Sequence, residues 1–400
     1  MRKRLRVLSL VFSALIVFTP AISKAERIVG YDEQVESYMI GEEKTGEVFY
    51  EKNADQKMPI ASMSKIMTYL LTKEAIDENK ISLDDKIEVS KKAAKLNSWE
   101  YSALGLEEGM KIKVEDLIKG LIVVSGNDCA EQLAELVAGD EKEFAKLMNK
   151  KAEELGLETQ SFYNASGIQT DDDKQNSSSA RDMFKLCQYV IKKYPEVLDF
   201  ASIKQIDIND LNIHAKNILP LVGEVDGVDG LKTGTTEEAG YCLISTVDMN
   251  KLDSKDQFRT IAVVMNAQSS EIRESAAQDL IYYVSRFFDT DKILNTDTPY
   301  DSIKMNSVKE GYVDLYPKEN LEIIRNLDKR IIEKVDVDQS IKAPIKKGEK
   351  MGVAKIKYDD KEYDVDLIAA KEQKEATKFS RVIRAFKDSC NFLLECLIAS

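Results

Sequence analysis

Apolar residues recurring at intervals of three and four predict amphipathic helices over 62–76, 114–124, 127–137, 142–155, 179–193 and 271–288. Ser179, with Asp182 three residues on, supplies a helix start of the capping-box type with Asp in the place of Glu. Other segments carry strand patterns. Residues 37–40 and 48–50 read as a hairpin around a Lys44-Thr45-Gly46 turn, and 241–247 and 260–266 as short buried strands. Helices followed by late antiparallel strands predict an α+β domain.

The pattern changes after Asp289. Residues 295–300 are polar, include Pro299 and read as a linker. Beyond them come short alternating runs such as Lys355-Ile356-Lys357-Tyr358 and Tyr363-Asp364-Val365-Asp366-Leu367, separated by turns at Lys347-Gly348 and Asp359-Asp360. These predict a small β-rich domain without a catalytic cluster. In the last segment, 371–400, Phe379, Val382, Ile383, Phe386, Cys390, Leu393, Leu394 and Leu397 recur at helical spacing. Lys378, Arg381, Arg384 and Lys387 take the other faces. A basic amphipathic helix of this kind suits the surface of a membrane; the alternative is a helix packed on the preceding domain or on a second copy.

At the other end, Arg2, Lys3, Arg4 and Arg6 precede an apolar run over 7–18, broken by Pro20. Ser23 and Ala25 are the small residues a signal peptidase reads. The run is short for a hydrocarbon core of ~30 Å, which favours a cleaved signal over a permanent span. The expected organisation is a signal peptide at 1–25, a main domain at 26–292, a β-rich domain at 293–370 and an anchor helix at 371–400. Such a chain is exported, to the cell surface or the periplasm.

Composition removes several function classes. A formal net charge of −13 leaves no basic face for a nucleic-acid partner. Five cysteines, an odd and scattered set, do not make a disulfide framework and read as small buried hydrophobes. With His214 as the single histidine, neither a His-based metal cluster nor a histidine triad elsewhere in the chain can be built. A hydrolase on this sequence therefore needs another base, and no metal or organic cofactor is expected.

Ser62-Met63-Ser64-Lys65 is the only Ser-x-x-Lys of the chain, and on a helix Lys65 lies one turn above the Ser62 hydroxyl. An amine acts as a base only when burial or a second cation lowers its pKa. Ser125-Gly126-Asn127 falls between two apolar helical runs, where it either projects Ser125 and Asn127 into a cleft or merely caps a helix through Asn127. Lys232-Thr233-Gly234 is expected on an exposed strand edge, Gly234 leaving room for a substrate backbone. The second Lys-Thr-Gly, at 44–46, precedes the serine and is set aside as a hairpin turn.

Ser-x-x-Lys, Ser-x-Asn and Lys-Thr-Gly in that order, within 59–68, 124–128 and 229–241, resemble the D-alanyl-D-alanine carboxypeptidases, the low-molecular-mass penicillin-binding proteins. The resemblance extends over nearly the whole chain. It implies a β-lactamase/transpeptidase-like domain, a β-rich domain and an amphipathic tail. It also implies release of the terminal D-alanine from peptidoglycan stem pentapeptides, with β-lactams as covalent inhibitors. In that family's pattern Ser62 is the acylated nucleophile, Lys65 its base, and Ser125 and Lys232 a relay to the leaving D-alanine, with Asn127 orienting Lys65 and the substrate amide. The backbone N–H groups of Ser62 and Thr235 form the oxyanion hole, and Thr233 and Arg273 receive the terminal carboxylate. One departure is Asn164-Ala165-Ser166-Gly167-Ile168, where many relatives carry Pro-His; this loop is expected to stay clear of the nucleophile. Three alternatives stay open at this point: a β-lactamase, although no clear Glu-x-x-x-Asn segment is present, a D,D-endopeptidase using the same site, and a non-enzymatic penicillin-binding wall sensor.

Overall fold

The computed structural model describes residues 29–398 except 31, 99, 101, 171–172 and 253–256, with all their side chains but 388 and 390–398. The expected signal peptide lies outside the described residues. A five-stranded antiparallel sheet is built from β1 (Val35–Glu42), β2 (Val48–Lys52), β3 (Val228–Thr236), β4 (Gly240–Asp248) and β5 (Arg259–Ala267), in the order β2-β1-β5-β4-β3. The apolar run of β5 is explained by its two buried faces. Ile261, Val263 and Met265 enter one core, while Ala262, Val264 and Ala267 enter the other.

The first face carries α1 (Lys65–Asp77), α2 (Val114–Val123), α3 (Asn127–Ala138), α4 (Glu141–Glu154) and α5 (Ala180–Lys193). The opposite face is covered by α6 (Ser270–Phe287), through Ala276, Ala277, Leu280, Ile281 and Val284. Full burial of a side chain such as Leu280 contributes on the order of 2 kcal/mol. The helices and hairpin expected from periodicity are present, with ends shifted by at most three residues. At α5 the expected cap is half realised. Ser179 Oγ accepts from Asp182 N, but the Asp182 carboxylate turns to Thr159, whose Oγ1 in turn accepts from Ser179 N. The Lys44-Thr45-Gly46 turn is a hairpin turn, closed by Thr45 N and Oγ1 donating to the Glu42 carboxylate at 2.5 and 2.6 Å.

Helix α6 passes directly into β6 (Phe288–Leu294), which pairs with β9 (Leu321–Asn326). Periodicity did not reveal β6, because Asp289, Asp291 and Lys292 mask its apolar positions. A second five-stranded sheet contains β7 (Asp301–Lys304), β8 (Tyr312–Pro317), β10 (Ile331–Val337), β11 (Lys350–Tyr358) and β12 (Lys361–Ala369), in the order β7-β8-β12-β11-β10. It has its own core around Leu315, Ile356 and Leu367. The polar stretch 295–300 joins β6 to β7.

The terminal helix α7 (Lys378–Ile398) begins seven residues later than the start expected at 371. The preceding residues are held on the β-rich unit: Gln373 exchanges backbone bonds with Ile345, and Ala376 N donates to Ser307 O. Phe379, Val382, Ile383 and Phe386 are each at least half exposed. Arg384, expected on a free polar face, instead donates to the carbonyls of Val308 and Lys309. No described helix is long and apolar enough to cross a membrane.

Candidate active site

The Ser62 turn is a short 3-10 segment, Ala61–Ser64, that runs into the first turn of α1. Ala61 adopts a left-handed φ of 45°, a costly conformation for a residue with a Cβ. Backbone and side chain both hold it: Met63 N donates to Ile60 O, and Ser64 Oγ donates to Ala61 O at 2.7 Å. The turn leaves Ser62 at the surface of the cleft while Lys65, at the start of α1, is fully buried.

Lys65 Nζ has three neighbours within hydrogen-bond distance: Ser62 Oγ at 2.8 Å, Asn127 Oδ1 at 2.6 Å and Ser166 O at 2.8 Å. Burial holds the Lys65 pKa well below the ordinary lysine value, and the nearby Lys232 charge lowers it further. A neutral amine has two N–H donors and one lone pair. Asn127 Oδ1 and Ser166 O can only accept, so they take both donors and leave the lone pair facing the Ser62 hydroxyl, which can donate to it.

Asn127 is the first residue of α3 rather than its cap, a position held by Gly126. Its N–H donates to Ser102 O at 2.8 Å. The next residue, Asp128, is fully buried and accepts from the backbone N–H groups of Leu104, Gly105, Leu106 and Cys129 at 2.8–3.0 Å. It thereby fixes the segment that brings Ser102 to the cleft. Sequence reasoning gave Asp128 no role; an acid directly after Ser-x-Asn, in an apolar helix, was the available signal. Ser125 is buried with a left-handed φ of 60°. Among the described residues no hydrogen bond joins it to Ser62, Lys65 or Lys232.

On β3, at the edge of the sheet, Lys232 is fully buried and Thr233 is nearly so, which corrects the expectation of an exposed edge. The Ser62 turn covers that edge. Gly234 is also explained differently: a Cβ there would sit 2.7 Å from Ile60 O and 3.3 Å from Met63 N, so the glycine admits the Ser62 turn rather than a substrate. Lys232 Nζ donates to Thr233 O at 3.1 Å, and its pKa is pushed down to about 7, first by burial and then by the charge of Arg273. Arg273, in the first turn of α6, is buried rather than solvated. It pairs with Glu274 at 2.8 Å and lies 6.0 Å from the centre of the Tyr241 ring, and its Nε has no partner among the described residues. Burial thus acts with a line of three cations, Arg273, Lys232 and Lys65, each disfavouring the charge on the next.

The loop 164–168 does not stand apart as expected. It supplies the Ser166 carbonyl to Lys65, and Ala165 O accepts from Thr68 Oγ1 of α1 at 2.6 Å. Gly167, at φ +84°, lies so close to the Ser62 turn that a Cβ would fall 1.9 Å from Ala61 O. The resulting cleft, of about 520 Å³, is bordered by Ser62, Asn127, Gly167, Thr235 and Thr236 among others. Lys65 and Lys232, fully buried, and Thr233 and Arg273, nearly so, are not among the residues that border it. The single histidine, His214, is exposed and bonded to Asp207, at 2.7 Å, on a separate hairpin.

Comparison with known proteins agrees with this geometry. Residues 24–269 match the family model described as D-alanyl-D-alanine carboxypeptidase, and 288–375 match that of the penicillin-binding protein 5 C-terminal domain. D-alanyl-D-alanine carboxypeptidase DacF of Bacillus subtilis is 31% identical over 386 residues, covering 94% of this chain and 96% of its own length. The structure of penicillin binding protein 6B from Escherichia coli matches with a TM-score of 0.65 at 30% identity, covering 84% of this chain and 95% of that one. Penicillin-binding protein D2 from Listeria monocytogenes, in its cefotaxime-bound form, matches with a TM-score of 0.56 at 33% identity, over 62% of this chain and 96% of its own. A serine and a buried lysine meeting beside a lysine-bearing sheet edge, on a chain matched by the family model over more than half its length, lead to one assignment: this chain belongs to the D-alanyl-D-alanine carboxypeptidase family.

Proposed function

We propose that this protein is a serine D-Ala-D-Ala carboxypeptidase that removes the terminal D-alanine from peptidoglycan stem pentapeptides through an acyl-Ser62 intermediate. The observation that carries this reading is the Lys65 amine, buried and flanked by two pure acceptors, with Ser62 Oγ at 2.8 Å. Ser62 Oγ attacks the carbonyl carbon of the penultimate D-alanine as its proton passes to Lys65 Nζ. The backbone N–H groups of Ser62 and Thr235 receive the oxyanion, one such donor being worth about 3 kcal/mol of barrier. The C–N bond then breaks, and the leaving amine takes the proton that Lys65 received from Ser62, passed on by way of Ser125 and Lys232. A lysine with a pKa of about 7 is suited to carry that proton near neutrality. Thr233 and Arg273 hold the terminal carboxylate, and Gly234 keeps β3 against the Ser62 turn. Water then attacks the ester carbonyl, giving up its proton to the neutral Lys65, which returns it to Ser62 Oγ as the ester C–O bond breaks and Ser62 is released.

A β-lactam offers the same site an amide whose leaving group stays tethered, so the acyl-enzyme persists. Penicillin is therefore expected to leave one stable adduct on Ser62, detected by intact-protein mass spectrometry and peptide mapping. An adduct on another serine, or none at saturating penicillin, defeats the assignment.

The reading extends to location. Residues 1–25 act as an export signal, 26–292 form the catalytic unit, 293–370 the β-rich unit, and the tail tethers the enzyme to the outer face of the cytoplasmic membrane. Support comes from the exposed Phe379, Val382, Ile383 and Phe386, each worth on the order of 2 kcal/mol on full burial in lipid. Because Gln373 and Ala376 are buried in the β-rich unit, the informative truncation ends the chain after Thr377. Full-length protein is expected to float with anionic vesicles, and the truncated form to stay in the load fraction with unchanged D-alanine release from a soluble peptide. A truncated form that still floats, or a full-length form that never does, would overturn the tether.

A further inference from the structure

The Ser62 turn and the 164–168 loop, which supplies an acceptor to Lys65, are far apart in sequence, and the loop has no regular secondary structure to hold its shape. One buried side chain joins them. Asn176 is fully buried. Its Nδ2 donates to Ser64 Oγ at 3.0 Å and to Asn164 O at 2.8 Å, its Oδ1 accepts from Tyr163 N at 2.7 Å, and its backbone carbonyl accepts from Ile60 N at 3.0 Å. Both donor hydrogens and the acceptor oxygen are thus used, with no water needed to complete the set.

Each bond has a consequence near the reacting atoms. Ser64 Oγ, which accepts from Asn176, itself donates to Ala61 O and so holds the left-handed residue just before Ser62. Asn164, whose carbonyl accepts from Asn176, closes the loop through its own side chain: Oδ1 accepts from Gly167 N at 2.6 Å and Nδ2 donates to Ile168 O at 2.7 Å. Within the turn those two contacts close lies Ser166, whose carbonyl faces Lys65. On this basis, resting on the roles given above to Ser62 and Lys65, we propose that Asn176 is a positioning residue for acylation. It registers the Ser62 turn against the Ser166 carbonyl, so that the Lys65 lone pair meets the Ser62 hydroxyl.

A purely structural amide in this place would affect stability alone. A positioning amide also changes the rate of each correctly folded site, since a displacement near 1 Å in such a constellation costs on the order of a hundredfold. It also changes the titration of Lys65. An ammonium uses three acceptors and an amine two, so loss of the Ser166 carbonyl disfavours the ammonium and lowers the pKa. Other charges around Lys65 and the loop are Lys232, Asp128 and the Glu131–Glu141 carboxyl pair, whose Glu131 member is pushed up to about 8 by burial and by Glu141. These groups are common to wild type and variant, so a difference between the two profiles belongs to the substitution.

The test is the rate of penicillin acylation per titratable site, measured against pH for wild type and Asn176→Ala, with thermal unfolding in parallel. The expected result is a fall on the order of a hundredfold in the rate per site, with the acid limb moved to lower pH. A variant that loses only thermal stability or titratable fraction, with rate per site and acid limb unchanged, overturns the inference. If Asn176→Ala does not fold, Ser64→Ala removes the same tie from the other end with a smaller change. At least a tenfold loss in rate per site is then expected, a small part of the range that misplacement spans, and an unchanged rate overturns the inference. A wild-type chain that forms no adduct on Ser62 defeats the functional reading and this inference with it. A normal wild-type adduct with unaltered variants defeats the inference alone.

Discussion

Lys65→Arg is expected to lower acylation of Ser62 by penicillin on the order of a thousandfold, the middle of the range for loss of a general base. Charge is kept in this variant, so an electrostatic role for Lys65 would survive it. What is lost is the lone pair, because a guanidinium does not deprotonate in proteins. In the wild type, the rate should rise with pH as Lys65 loses its proton, and should do so well below the usual lysine range because burial and Lys232 depress that pKa. Protonation of Lys232, with its pKa of about 7, adds a like charge that drives Lys65 further toward the neutral form. The variant should show no such rise at any pH. Stopped-flow acylation across pH, with circular dichroism to check the fold, makes the comparison. A variant whose rate recovers as pH rises would place the base elsewhere.

Gly167→Ala is expected to abolish acylation and to destabilise the fold, although it adds one methyl group. Two costs act there. The left-handed φ of +84° costs a residue with a Cβ about 1–2 kcal/mol. The Cβ would also fall 1.9 Å from Ala61 O and 2.4 Å from Ala61 C, which are backbone atoms and can yield only if the Ser62 turn moves. Gly223 provides the control, with nearly the same φ, +83°, and nothing within 4 Å of a Cβ. Gly223→Ala should therefore lose about 1 kcal/mol of stability from strain alone and keep its activity. Thermal unfolding and penicillin acylation of the two variants separate strain from displacement. Wild-type acylation by Gly167→Ala would mean that the loop does not press on the Ser62 turn.

Much of this architecture was legible from local pattern. Helices α1 to α6 announce themselves through the three-four spacing of residues that reach the two cores flanking the sheet, and β4 and β5 through short, mostly apolar and β-branched runs buried on both faces. Ser62, Lys65 and Asn127 were legible because side-chain chemistry at set spacings carries their meaning. The 164–168 loop was not, since its contribution is a backbone carbonyl, which every residue possesses and no residue type advertises. Gly234 was found for the wrong reason: the approach it permits comes from Ile60 and Met63, distant in sequence. Arg273 was picked out through the family resemblance alone, because its burial depends on Tyr241 and the sheet beneath it, which periodicity does not show. Strand β6 was hidden because Asp289 and Asp291 fall at half-buried positions and Lys292 at an exposed one, which leaves no apolar alternation. The late start of α7 follows from backbone pairing of Gln373 with Ile345, which leaves no trace in periodicity.

The passage from α6 into β6 has a mechanical consequence. Phe288 is both the cap of the helix and the first residue of the strand, so no loose residue separates the two units. Its ring lies 4.4 Å from that of Phe49, Leu327 N donates to Phe287 O, and Lys361 pairs with Glu47 at 2.7 Å. A hinge works through a few residues free to change φ and ψ, and this junction has none to spare. The β-rich unit is then a rigid stand rather than a swinging arm. With the tail seated on a membrane, as proposed above, it would set a constant distance between that surface and the mouth of the cleft. Peptidoglycan strands within reach of the enzyme would be those at that one height, and lengthening the junction by a few glycines would turn a fixed working depth into a range.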